Sequence, residues 1–145
     1  MISRILVHMR LLLALVGVLG LAASGAQAQD PRATAAQSAG RAWLALTDAG
    51  DVKGSLKAGG KKFRTALDAA NWEEALTKVR TPLGSVMGRS VLATRFLDKM
   101  PDGPEGEYAQ VLYETTFSEV GTARETVTLE RESDGVWRVI GYYIR

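Results

Sequence analysis

Cysteine is absent from all 145 residues, and histidine occurs once, as His8. Without cysteine there are no disulfides, no thiol redox chemistry and no thiolate nucleophile. His8 lies in a leader that the sequence marks for removal, so the remaining chain has no imidazole either. Ser-His-Asp and Cys-His systems and the usual zinc sites are thereby excluded, leaving carboxylate, tyrosine and lysine for proton transfer. No metal and no cofactor is expected.

No apolar run is long enough to cross a membrane, which takes about 20 residues. Residues 11–23 are apolar throughout, follow Arg4 and Arg10, and lead to Ala26-Gln27-Ala28. A positive start, a short apolar stretch and small residues at its end are the features of a secretory signal peptide. Residues 1–28 are therefore read as a signal peptide, with residues 29–145 as one domain in the periplasm or outside the cell and no membrane span after cleavage.

An excess of positive charge is also missing once that leader is discounted. The chain has 18 Lys and Arg against 16 Asp and Glu, and the leader takes Arg4 and Arg10 but no acid, leaving 16 of each sign. A balanced surface has no counterion-release drive toward nucleic acid, which is not an expected partner. The 117 remaining residues must be held by their own apolar core.

Three helical stretches are predicted first. Ala36, Ala39, Trp43 and Leu46 recur at spacings of three and four, putting one apolar stripe on a helix over residues 33–49. Asp51 can cap a second segment over 52–67, which the glycines at 59 and 60 should break in two, each glycine costing about 1 kcal/mol in a helix interior. Asn71 followed by Glu74 has the spacing of a capping box ahead of Trp72, Ala75, Leu76 and Val79, and Pro82 with Gly84 should stop that third helix.

From Gly88 onward the pattern becomes β, with strands predicted over 89–97, 107–118, 122–132 and 136–144. Asp134-Gly135 suggests a two-residue type I′ turn, and the glycine- and proline-rich 101–106 stretch an exposed loop. Alternation puts Ala109, Val111, Tyr113 and Phe117 on one side, and places Glu125 on the same apolar side as Val127 and Leu129. The last strand is apolar on both faces. Burial on both sides or a bulge at Gly141 would each account for that. Helices followed by an antiparallel meander make an α+β domain.

Trp43-Leu44-Ala45-Leu46-Thr47-Asp48-Ala49-Gly50-Asp51, Trp72 leading to Arg80-Thr81-Pro82-Leu83-Gly84, Gly106-Glu107-Tyr108, and the closing run from Asp134-Gly135-Val136-Trp137 to Tyr142-Tyr143-Ile144 resemble a bacterial domain-of-unknown-function family, family 4019. Leu56 departs from the pattern, standing where an aromatic is expected. The resemblance implies export and a cystatin-like or NTF2-like fold: about three N-terminal helices packed on a curved four-stranded antiparallel sheet. It implies no activity, because that fold serves both isomerases or dehydratases and plain binding modules.

Candidate functional residues follow from chemistry. Glu125, if it faces the core, is a carboxylate whose desolvation could make it a proton carrier, with Tyr113 or Tyr143 as donor. Arg80 and Arg89 bracket the Pro-Leu-Gly turn and could grip an anion or tie the helix end to the sheet. Trp43, Tyr113, Trp137 and Tyr143 could line a ligand pocket or simply form core. Asp48 and Asp51 flank a glycine, and Asp51 is explained as a helix cap. The leading expectation is a non-enzymatic module of the bacterial envelope that binds a small apolar ligand or an envelope protein. The alternative is a small isomerase or lyase using Glu125 with a tyrosine. A homodimer with sheet packed on sheet is a further expectation.

Overall fold

A computed structural model describes residues 30–145; the leader and its cleavage point lie outside the described residues. Helix α1 spans Pro31–Asp48, α2 Val52–Ala58, α3 Lys61–Ala66 and α4 Ala69–Arg80, followed by a 3-10 turn at Thr81–Leu83. Strands β1 (Val86–Lys99), β2 (Glu105–Phe117), β3 (Gly121–Arg131) and β4 (Trp137–Ile144) form an antiparallel meander in the order β1-β2-β3-β4. The protein is α+β, helices on one face of a four-stranded antiparallel sheet.

Short polar side chains set the helix starts. Asp30, Asp51 and Asp68 each accept a backbone N–H of the first turn, from Arg32, Gly54 and Asn71 respectively. Such a cap contributes about 1 kcal/mol. The cap of α4 is thus Asp68 and not Asn71, because Ala69 and Ala70 are good helix formers and the apolar pattern can begin a turn earlier. The second segment breaks where its two glycines predict, into α2 and α3.

The β3–β4 connection differs from expectation. Only Gly135 has positive φ, at 80°, while Asp134 does not, and Gly135 N–H donates to Glu132 O at 2.8 Å. This is a three-residue loop built on a type I turn with glycine in the left-handed position, so the two-residue type I′ turn is not formed.

The inward face of the sheet carries Ala109, Val111, Tyr113, Val127, Leu129 and Val139, all buried against Trp43, Leu44, Phe63 and Trp72 from the helices. The Trp43 ring lies 5.8 Å from both Phe63 and Trp72 and 5.5 Å from Tyr142. Both indole N–H groups are served by Ser55, fully buried on α2: Trp43 donates to its carbonyl at 2.8 Å and Trp72 to its hydroxyl at 2.9 Å. Helix α1 can approach β2 closely because Gly40 has no side chain, since a Cβ there would stand 2.5 Å from the Tyr113 hydroxyl.

The register resolves the two-faced appearance of β4. Leu129 pairs with Val139 and Thr128 with Gly141, so Ile140 is an extra residue. A bulge of this kind shifts side-chain parity by one. Trp137 and Val139 point to the helices before it, and Tyr142 and Ile144, opposite Val127 and Glu125, do so after it. Tyr143 faces the other way and is 60% exposed. Three further register shifts interrupt β1 against β2.

Candidate functional site

At one end of the sheet, inward residues from all four strands meet the ends of α1 and α4. Glu125 on β3 is fully buried there. Its Oε1 accepts from Arg89 Nε on β1 at 2.8 Å and from the Thr115 hydroxyl on β2. Its Oε2 accepts from the Tyr142 hydroxyl on β4 at 2.5 Å and lies 3.9 Å from Arg80 Nη1. Asp48, at the end of α1, closes the ring. It receives both Nη atoms of Arg89, at 2.7 and 3.0 Å, and Arg80 Nη2 at 2.6 Å. Arg80 also donates to Thr47 Oγ1 at 3.1 Å and stacks over the Phe117 ring at 5.2 Å.

Two carboxylates face two guanidiniums, so the cluster carries no net charge. Burial alone would raise the Asp48 carboxyl, but hydrogen bonds from Arg89 and Arg80 outweigh it and hold the group below the ordinary carboxylate range. Burial opposes the charge of Arg89 in the same way, and its bonds to Asp48 and Glu125 prevail, making it harder to deprotonate. Burial, and then the neighbouring Glu125 charge, push the Tyr142 phenol well up. Among the described residues, Arg80 Nε is the buried side-chain polar atom that finds no partner.

This arrangement can fasten the ends of two helices to four strands. Proton transfer to a substrate is a different matter, because each Glu125 oxygen is engaged and its side chain is fully buried, although Thr47, Asp48 and Arg80 of the same cluster border an open depression of about 210 Å³.

An apolar groove opens nearby between α4 and the free edge of β4, with a volume of about 210 Å³. Trp72, Ala75, Leu76 and Val79 form its helix side, and Tyr142, Tyr143 and Ile144 its strand side. Spacing of three and four on the helix meets the end of the strand. Tyr142 therefore belongs to both places, its ring lining the groove and its hydroxyl bound to Glu125.

The sequence profile of a protein of unknown function, DUF4019, matches residues 39–142. The chain belongs to this family. No curated protein matches the sequence. Among solved structures, the DUF4019 chain is similar to ActVI-ORFA from Streptomyces coelicolor at 13% identity, over 80% of this chain and 97% of that one, with a TM-score of 0.48.

The residues singled out in the sequence of this DUF4019 member do not converge on one pocket. Glu125, Arg80 and Arg89 come together, with Arg80 and Arg89 bridging helix end and sheet. Tyr113 is fully buried, its hydroxyl donates to Gln37 O at 2.9 Å, and burial pushes its phenol up to about 12. Neither Tyr113 nor Tyr143 donates to Glu125; Tyr142 does, because the Ile140 bulge turns it inward and Tyr143 outward. Trp43 and Trp137 are core residues that share the wall of a depression of about 230 Å³, which Tyr143 does not line.

Asp51 serves as the α2 cap, as its position implies. Asp48, by contrast, is the bridge between both arginines, and its separation from them by 32 and 41 residues left no local signal. Among the described residues there is no group of three or more acidic, histidine or cysteine side chains that could hold a metal ion. No helix of the described residues is long and apolar enough to cross a membrane.

Proposed function

We propose that this DUF4019 protein is an exported, non-enzymatic module of the bacterial envelope that binds the apolar group of a small ligand or of a protein partner in the α4–β4 groove. One observation carries the reading: the groove is open and apolar, whereas the carboxylate best suited to chemistry is sealed in a neutral ion-pair ring. Apolar clefts with few polar groups are the usual form of small-ligand sites. The partly exposed Val79 and the exposed Tyr143 at its mouth gain most from being covered.

An uncharged naphthylamine fluorophore tests the groove. Binding should brighten the dye and draw excitation from Trp72, and Val79→Asp should abolish both signals while Glu125→Gln leaves them. Dye binding lost through Glu125→Gln and kept by Val79→Asp would overturn the assignment. The intact mass of material from the native envelope tests export, with Gln29 expected as the first residue and a full-length cytoplasmic product overturning it.

A further inference from the structure

We infer that the protein forms a two-fold dimer by antiparallel pairing of β4 with β4 of a second copy, Tyr143 lying on the axis. The inference goes beyond the binding reading and does not depend on it.

Arg124 and Arg145 exchange both backbone hydrogen bonds, at 2.8 and 3.0 Å, which makes Glu125 and Ile144 a non-bonded pair, Thr126 and Tyr143 a bonded one, and Val127 and Tyr142 non-bonded again. The N–H and C=O groups of Tyr142 and Ile144 therefore point away from β3, and no backbone hydrogen bond among the described residues takes them. Further back the edge is already taken, since Gly60 N–H donates to Val139 O at 2.7 Å.

Among the described residues the free groups are thus those of Tyr142 and Ile144, two bonding residues separated by one. A two-fold axis through the residue between them would let both pair with a second copy. Tyr142 would pair with the partner's Ile144 and Ile144 with the partner's Tyr142, giving four backbone bonds around a central Tyr143. Arg145 would fall opposite the partner's Gly141, where there is no side chain to meet it. A longer foreign strand would run into the Gly60 connection.

Exposed edges are usually blunted by bulges, charge or proline. β1, the other edge, is interrupted by three register shifts. The bulge of β4 lies at Ile140, ahead of this window, and Tyr142-Tyr143-Ile144 itself carries no charge and no proline. Its surroundings also suit a copy of themselves. Tyr143 and Val79 are exposed apolar groups beside the edge, and residues 29–145 carry equal numbers of acids and bases, so two copies meet without net repulsion. Because opposite residues of an antiparallel pair share a face, the partner's Ile144 and Tyr142 would extend the apolar lining of each groove across the axis.

The chain has no cysteine, so one can be introduced cleanly. Facing residues of a non-bonded antiparallel pair lie close enough for a disulfide. Tyr143→Cys is expected to cross-link into dimers under mild oxidation, whereas Leu92→Cys, exposed on β1, is not. Ile144→Pro removes an edge-facing N–H and no bond to β3, and should weaken wild-type association about tenfold in sedimentation. A wild-type chain that stays monomeric at roughly 100 µM, or that cross-links through Leu92→Cys and not through Tyr143→Cys, would overturn the edge dimer. Dye binding by a monomer would leave the binding reading standing, and cross-linking without dye binding would remove that reading alone.

Discussion

The two halves of Tyr142 sit in opposite kinds of surroundings. Its hydroxyl ends in a polar ring around the buried Glu125, where carboxylates and guanidiniums are matched, and its ring faces an apolar groove left open to solvent. The polar ring holds the residue types that chemistry uses, and spends them on each other. The groove holds no reactive group and leaves its apolar surface uncovered. For this chain, what is accessible says more about function than what is chemically capable.

The sharpest way to break the comparison is to empty the polar ring. Glu125→Ala leaves Arg80 and Arg89 facing each other in a buried site with one carboxylate fewer, and is expected to cost about 3–5 kcal/mol in urea unfolding. A loss of about 0.5 kcal/mol or less would mean that water reaches the site freely. Tyr142→Phe keeps the groove wall and removes one hydrogen bond to Glu125, with an expected cost of about 1–3 kcal/mol. Dye binding should survive it, since the ring remains.

pH separates the two regions more gently. Asp48 titrates lower in the folded chain than unfolded, so its contribution is complete above the ordinary carboxylate range and is lost as pH falls through the lower, folded value. Tyr142 and Tyr113 titrate higher when folded, so stability should decline as pH rises above 10, the ordinary tyrosine value. Alkaline absorbance titration should find Tyr113 and Tyr142 ionising late. The smallest structural effect is expected at the groove rim, where Val79→Lys should change stability by no more than about 0.5 kcal/mol while removing dye binding.

Much of this contrast could be read in the sequence, and the missing parts have identifiable causes. Spacings of three and four located α1 and α4, glycines separated α2 from α3, and strict alternation put Glu125 on the buried side. Those are local signals. The spacing of Asn71 to Glu74 names Asn71 as the α4 cap, whereas Ala69 and Ala70 let the helix begin earlier, at Asp68. Asp48 joined Arg80 and Arg89 only through tertiary approach, and Ser55 met two indoles in the same way. The tyrosine partner of Glu125 depended on which residue of β4 was extra, a question that pairing with β3 answers and composition does not.

The bulge at Ile140 makes one short strand serve two masters. Upstream of it, odd-numbered positions belong to the hydrophobic interior; downstream, even-numbered ones do. Tolerance to substitution along β4 should therefore slip phase midway, so a rule of simple alternation carried through from Trp137 would sort the last two tyrosines backwards, protecting the solvent-facing one and sacrificing the one that holds the acid.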